Sequence, residues 1–505
     1  MLIVKNLSIQ NIQQNNLLVE NLSFNLNEND KIAVIGAEGS GKSTLLKILY
    51  GEDVPYITYT GEVIRPAIIS FVEQNLDLNW GTYTVYSYLV NEINDFDVYS
   101  YLGIISKLFN SFGLNFNQLE HRDINTLSGG EKVKISFIKA IMVKPDLLLL
   151  DEPSNDLDFE TLLILEDLLN ETSIPILFIS HDQRFLENLS NGVIHLQQVN
   201  KKTKPITRFS KVGYSEYKDN YNNQYQKDLM ISTKQRSDYS AKMEKYRRIY
   251  SQVEHQQNQA VRDPTLGRLL KKKIANLKSQ EKRYEREKEY FVDFPEREEP
   301  INLFFDIKTR INNDKMLLDL QLESMRLHNG VYTGPINLTI KGQEKKVIIG
   351  SNGIGKTTLI KLVEQELIKN NVNYAYISQN YSDVLDYDKK IVEFLLESQS
   401  KHGITTIRQI LGSLGLRTSE MDYYIRDLSE GTKLKILLLI MISRDVDILL
   451  LDEPTRNISP LNQDELYNLF NSFEGAILAV SHDRAFIEET FSEIYELKKE
   501  GLVKS

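Results

Sequence analysis

KIAVIGAEGSGKSTLLKILYG, residues 31–51, decides how the rest of the chain is read. A short β-rich run, KIAVIG, enters a glycine loop, and STLLKILYG leaves it as a helix start. In a strand, G-x-x-x-x-G-K-[ST], helix context, the glycines let backbone N–H groups close around phosphate oxygens. The pattern recurs: GSNGIGKTT (350–358) lies between KKVIIG and TTLIKLVEQ. Gly36, Gly39, Gly41, Lys42, Ser43 and Thr44 in the first copy, and Gly350, Gly353, Gly355, Lys356, Thr357 and Thr358 in the second, are the candidate phosphate-binding residues. A plain tight turn would not explain the Lys-Ser/Thr ending of both.

Four further signals repeat in the same order. SFVEQN answers to AYISQN, LSGGEK to LSEGTK, DLLLLDEPSNDLD to DILLLDEPTRNIS, and ILFISHD to ILAVSHD. LLLLD and ILLLD are continuous apolar runs, as expected of strands buried on both faces of a parallel sheet. Each half therefore reads as an α/β domain. Lys42 and Lys356 are placed to pair with β/γ-phosphates, and Ser43 and Thr357 to ligate Mg²⁺. Asp151 and Asp452 end the apolar strands, where a carboxylate can hold the Mg²⁺ shell. Glu152 and Glu453 follow, placed to polarise an attacking water; the plainer alternative is a DE pair that merely caps a strand. His181 and His482 suit a γ-phosphate contact. Gln74 and Gln379 could orient water or metal.

Bulk properties narrow the class. At 505 residues, ~150 residues per domain suggests about three domains. There is no cysteine, so disulfides, cysteine-ligated zinc and iron–sulfur clusters are excluded. The N-terminal stretch lacks the apolar core and cleavage site of a signal peptide. No run approaches the ~20 apolar residues of a membrane span. A cytoplasmic location without membrane insertion is the expectation. The net charge of −10 conceals an asymmetry: Lys and Arg exceed Asp and Glu by 12 over 201–290, leaving −22 elsewhere.

That basic segment is helical in pattern. Tyr214, Tyr217, Tyr221 and Tyr225 recur at three- and four-residue steps, and Leu229, Tyr239, Met243, Tyr246, Tyr250 and Val253 continue roughly so. HQQNQAVRDP loses the beat, and Pro264 suggests a new helix start. Leu270, Ile274, Leu277, Tyr284 and Phe291 mark a second seam. Two long antiparallel helices with a tip near 254–266 are predicted. The tyrosines read as a seam rather than as base-stacking platforms. Lys245, Arg247, Arg248, Arg262, Arg268 and Lys271, Lys272 and Lys273 surround the far part; a solvated face is the plain reading, and a phosphate backbone the functional one.

The paired motifs resemble the ATP-binding cassette (ABC) ATPases over both halves. The resemblance implies ATP and Mg²⁺, ATP hydrolysis, and two cassettes meeting head to tail within one monomeric chain. It places each nucleotide between one phosphate loop and the other cassette's signature. Lys356 and Glu453 would then work with Ser128, Gly129 and Gly130, and Lys42 and Glu152 with Ser429, Glu430 and Gly431. The second signature departs from the pattern, because Glu430 stands where Gly129 stands in the first. Ser459 likewise stands where the first half has Asp158. Both departures face the Lys42 site, so an asymmetric ATPase is one expectation. In the alternative, Glu430 turns to solvent or meets a cation and both sites stay active. No aromatic suited to stacking adenine is evident around Ile12 or His328.

Two cassettes, no membrane segment and a charged hairpin between them resemble the ABC-F proteins. The expected fold is two ABC-type α/β nucleotide-binding domains (1–208 and 301–505) joined by a long antiparallel α-helical hairpin (209–300). That resemblance implies binding at the ribosome's tRNA exit site in the ATP-bound state. The hairpin would reach toward 23S rRNA of the 50S subunit, the P-site tRNA and the peptidyl-transferase centre. The Gln74–Leu127 and Gln379–Leu428 intervals, about 53 and 49 residues, leave no room for the extra arm of many translation-factor members. There is no long C-terminal extension after His482 either. The missing arm and the long hairpin resemble the antibiotic-resistance members, which act against lincosamides, pleuromutilins or streptogramin A. A translation factor that relieves stalled ribosomes, and a tandem ATPase subunit of a membrane transporter, are the alternatives.

Overall fold

The computed structural model describes residues 1–13, 15–73, 83–90, 98–154, 157, 159–199, 204–259, 264–295, 297, 300–301, 303–305, 312–327, 332–398, 403–418, 420–456 and 458–504. These form two compact units. One comprises Met1–Tyr214 together with Glu298–Ser505, and the other Ser215–Arg297.

The larger unit holds two six-stranded sheets of matching order. In the first, the strands run Ile69–Val72, Leu147–Asp151, Ile176–Ile179, Lys31–Ile35, Gly192–Val199 and Lys204–Ser210. In the second they run Tyr374–Ile377, Ile448–Asp452, Ala476–Val480, Lys345–Ile349, Glu493–Lys498 and Gly501–Lys504. Five strands of each sheet are parallel and only the last is antiparallel. The central strands are buried along their whole length because helices cover both faces, which is why the sequence shows apolar runs instead of alternation. Beside the main sheets lie antiparallel sheets, three-stranded in the first half (Leu2–Asn11, Asn16–Leu26, Ile57–Ile64) and two-stranded in the second (Met316–Leu322, Ile336–Lys341).

Topology gathers the chemistry. In a parallel sheet, loops at the carboxyl ends share one edge, where open α/β sheets bind ligands. The phosphate loops leave Ile35 and Ile349, Asp151 and Asp452 end the strands two places away, and His181 and His482 follow the strands between them.

The smaller unit contains most of the helix Tyr214–Gln259, 46 residues, and the helix Pro264–Glu289, 26 residues. At 1.5 Å per residue the longer helix spans ~69 Å. The two run antiparallel. Lys242 Nζ meets Glu287 Oε2 at 2.9 Å, and the Tyr246 hydroxyl donates to Glu281 Oε2 at 2.8 Å. Tyr246, Val253, Leu270 and Leu277 are buried together, with Met243, Ile249, Tyr250 and Ile274 packed against them. The helices are unequal because the return chain stops being helical after Glu289. There Phe291 packs edge-on against Tyr239, and Arg236 stacks over Phe294 and donates to the Val292 carbonyl.

One seam assignment is corrected. Tyr214 is fully buried in the larger unit, where its N–H donates to Ser190 Oγ at 3.0 Å, so it belongs to the core and not to the hairpin seam. Arg262 lies outside the described residues, as do all four residues, 260–263, between the two helices.

Candidate active site

The phosphate loops owe their shape to glycines under steric constraint. Gly36 has φ +148, and a Cβ there would stand 2.4 Å from the Leu196 carbonyl oxygen; Gly350 has φ +150, and its Cβ would stand 2.6 Å from the Leu497 carbonyl oxygen. Gly350→Ala is therefore expected to displace the second loop and abolish nucleotide binding at the Lys356 site, as measured by equilibrium titration. Each loop opens a helix, Lys42–Tyr50 or Lys356–Lys369, whose N-cap is a left-handed glycine. Neither N-cap supplies a side-chain hydrogen bond, and neither first turn is acidic. The first N–H groups and the positive end of the helix dipole are thus left for an anion. Lys42 Nζ donates to the carbonyls of Gly36 (2.9 Å) and Ala37 (3.1 Å), and Lys356 Nζ to those of Gly350 (2.8 Å) and Ser351 (3.2 Å). The two ammonium groups hang over the loops in the same way. Thr44 and Thr358 sit in the first turn of these helices, and Gly39 and Gly353 lie in the loops with positive φ.

Burial pushes Asp151 up to about 6, opposed first by a hydrogen bond from Ser43 and then by Lys42. Asp452 is raised for the same reason and bonded by Thr357. One oxygen of each carboxylate, Asp151 Oδ1 and Asp452 Oδ2, is buried with no hydrogen-bond partner. A hydroxyl and an unsatisfied buried carboxylate oxygen, both hard donors, fit a Mg²⁺ ion.

Glu152 and Glu453 both have φ +52, an unusual conformation for a non-glycine residue that clusters at functional sites. Their N–H groups bond to the Ile179 and Val480 carbonyls of the next strand. Burial raises Glu152 to about 7, against Lys42 and the His181 N–H, and raises Glu453 to about 8, against Lys356 and the His482 N–H. These values match a group that accepts a proton near neutrality.

The histidines differ. His181 Nε2 lies 3.1 Å from Glu152 Oε1, whereas His482 Nε2 lies 3.9 Å from Glu453 Oε1. His181 Nδ1 is 2.9 Å from the Ile458 carbonyl of the other half. A carbonyl can only accept, so that contact requires Nδ1 to carry the proton and points Nε2 at Glu152. Gln463 Nε2 donates to the His181 carbonyl at 2.7 Å, and the Tyr467 hydroxyl links Gln463 Oε1 (3.3 Å) to Asp483 Oδ2 (2.9 Å). One hydrogen-bonded chain thus joins the two histidine loops.

The composite pairing expected of Lys356 and Glu453 with the first signature surrounds a cavity of about 610 Å³. Its lining brings Lys356, Thr357, Gln379 and Glu453 of the second half to Ser128 and Gly130 of the first. Ser128 caps the helix Gly129–Met142 in a capping box, with Glu131 Oε2 accepting from the serine N–H (2.8 Å) and hydroxyl (2.9 Å). The other signature is built differently. Ser429 caps the helix Glu430–Ile442 by accepting from the Thr432 N–H at 3.3 Å. Glu430 occupies the first helical position, where the helix dipole favours an anion, and its Oε1 accepts from buried Lys433 at 2.7 Å. Glu430 thus meets a cation, as in the alternative reading where both sites stay active, so any asymmetry rests on other residues.

A different carboxylate reaches the second signature. The Gly431 N–H donates to Glu38 Oε2, in the first phosphate loop, at 2.9 Å. Ser459 is buried at the end of its loop, while its counterpart Asp158, along with Gln74 and His328, lies outside the described residues. Sequence reading missed Glu38, Gln463, and the ion pair of Arg484 with Glu166 and Asp182, which spans the two halves. For Glu38 a signal existed, since the matched residue in the second loop is Asn352.

Fold and site together define a tandem nucleotide-binding ATPase. The chain belongs to the ABC transporter family, whose model matches residues 19–155 and 333–456. Its tandem form is that of the F-type members. ABC transporter F family member 5 of Arabidopsis thaliana is 25% identical over 533 residues, covering 95% of this chain and 73% of the relative. The ribosome protection protein VmlR of Bacillus subtilis is 27% identical over 508 residues, covering 96% and 85%. Among solved structures, the archaeal ribosome recycling factor aABCE1, in complex with the ribosomal stalk protein aP1, superposes with a TM-score of 0.63 at 18% identity over 99% of this chain and 90% of that one. That likeness shows the fold. Among the described residues no helix is long and apolar enough to cross a membrane.

Proposed function

We propose that the protein is a cytoplasmic, ribosome-binding ABC-F ATPase in which ATP held between the cassettes couples to engagement of the basic hairpin with RNA. The observation that carries the nucleotide part is the shared cavity, in which the phosphate loop of one cassette faces the signature of the other. Lys356 and the helix N–H groups bind the β/γ-phosphates, and Ser128 and the signature N–H groups meet the γ-phosphate from across the interface. Thr357 and Asp452 hold Mg²⁺, which when bound neutralises charge on the transferred phosphoryl group. Glu453 accepts the proton of the attacking water, Gln379 orients that water or the metal, and His482 contacts the γ-phosphate. Lys42, Ser43, Asp151, Glu152, His181 and Gln74 hold the matching positions of the other nucleotide site.

Over the two hairpin helices and their tip, 214–289, Lys and Arg exceed Asp and Glu by 7, which suits contact with a phosphate backbone by charge and shape. A relative of matching length is named as a ribosome protection protein. On that analogy the chain binds the tRNA exit site and shields the peptidyl-transferase centre from lincosamide, pleuromutilin or streptogramin A drugs. The protein carrying Glu152→Gln and Glu453→Gln should pellet with ribosomes in ATP, and less so as salt is raised. Failure to pellet at low salt overturns the ribosome reading. An inhibitory-concentration panel in a sensitive host then separates drug protection from a general translation factor: the wild-type chain should raise resistance to at least one of these drugs and the double variant should not. Fractionation with membranes would favour the transporter-subunit alternative.

A further inference from the structure

We propose that Glu38 makes the Lys42 site selective for nucleoside diphosphate over triphosphate, unlike the Lys356 site. This deepens the proposed function and rests on its reading of the Lys42 loop as a nucleotide site. In the composite arrangement, the signature N–H groups are the donors that recognise a γ-phosphate arriving from the opposite loop. At the Lys356 site, Ser128 and Gly130 line the open cavity shared with Lys356 and Asn352. At the Lys42 site, the N–H of Gly431 is already bonded to a carboxylate oxygen of Glu38, at 2.9 Å.

Glu38 belongs to the phosphate loop itself, four residues before Lys42. A carboxylate resembles a phosphoryl group in charge and in its acceptor oxygens. The loop therefore reaches across the interface with its own anion and meets the donor a γ-phosphate would use. The neighbouring carboxylate does not compete for that role, because Glu430 is drawn to Lys433. Asn352, at the matched position of the second loop, has no charge to offer, and its side-chain oxygen lies 3.5 Å from Lys356 Nζ.

A triphosphate at Lys42 must displace Glu38 from Gly431 and then lie beside an extra negative charge. A diphosphate, which ends at the β-phosphate, meets neither penalty and uses the same helix N–H groups and Lys42. The Lys42 site thus holds ADP in preference, while the Lys356 site remains the triphosphate site.

The test uses the full chain carrying Lys356→Ala, so that only the Lys42 site is read. Dissociation constants are measured for ADP and for the β,γ-imido analogue of ATP, with Mg²⁺, and expressed as a ratio. Glu38→Asn supplies the residue the second loop uses, and Glu38→Gln removes the charge while keeping an oxygen that can accept from Gly431. Both should shift the ratio toward the triphosphate by at least about tenfold, with ADP affinity nearly constant. A smaller shift in both variants overturns the proposal. A chain carrying Lys42→Ala together with Lys356→Ala is the control. If it binds nucleotide as well as the single variant, Lys42 is not a nucleotide site, and the reading beneath the proposal falls with it.

Discussion

Glu453→Gln is expected to lower steady-state phosphate release by about 10²–10⁴-fold, the range for losing a positioned general base, whereas Glu152→Gln should remove only a minor fraction. The two glutamates share a strand end and a backbone conformation, but Glu152 is buried while Glu453 is 18% exposed at the side chain, and their surroundings differ. Glu453 lines the open cavity with Lys356 and Ser128, and its histidine stands off at 3.9 Å. Glu152 has one oxygen 3.2 Å from the His181 N–H and the other 3.1 Å from His181 Nε2. That histidine is clamped by Ile458 and Gln463 of the other cassette. The signature facing Glu152 is bonded to Glu38. Turnover should therefore run chiefly through the Lys356 site. Gln is nearly isosteric and keeps an acceptor oxygen, so a loss of rate with nucleotide binding intact isolates the proton-accepting role. Equal losses in the two single variants would refute the asymmetry.

The second large effect is structural. Arg484→Met should destabilise the pairing of the cassettes by about 3–5 kcal/mol, the range for stranding one partner of a buried ion pair. Arg484 and Glu166 are almost wholly buried, at 7% and 5% side-chain exposure, and the guanidinium bonds to both oxygens of Glu166 while reaching Asp182 Oδ1 at 3.4 Å. Removing the cation leaves two buried carboxylates facing each other. Combining Glu166→Met with Arg484→Met should recover part of the loss, because apolar side chains of similar volume replace one of the two stranded carboxylates, while Asp182 stays largely buried, held by the Phe185 N–H. The measurement is the urea midpoint of the full chain for the single and double variants. A double variant as unstable as the single one would show that Arg484 acts through packing alone. Arg484 stands two residues after His482, so the single substitution should also depress ATP turnover by loosening the histidine loop of the Lys356 site.

The repeat was legible because its signals are local. A glycine loop between a strand and a helix, an apolar run ending in Asp-Glu, and Ser-His-Asp after a third run each depend on neighbours within a few residues. The hairpin was legible for the same reason, since the helical beat of Tyr239, Met243, Tyr246 and Val253 is a property of one segment. Tyr214 shows where that logic ends: it keeps the spacing of the helix yet is buried in the cassette core. Glu430 shows it again. The sequence reveals a charge in place of a glycine, with Lys433 three residues on as a local partner; what only the fold supplies is the burial of that lysine and the approach of Glu38 to Gly431, 393 residues away.

The amino-acid sequence by itself determined two α/β nucleotide-binding halves, their loops and strand-end carboxylates, and a basic helical segment between them, because backbone propensity, hydrophobic period and motif spacing are written along the chain. Only the tertiary structure decided that Glu38 takes the N–H of Gly431, and that Ile458, Gln463 and Arg484 brace the opposite half. Those pairs stand hundreds of residues apart, and the interactions between them arise only after packing has brought two separately encoded surfaces within hydrogen-bonding distance.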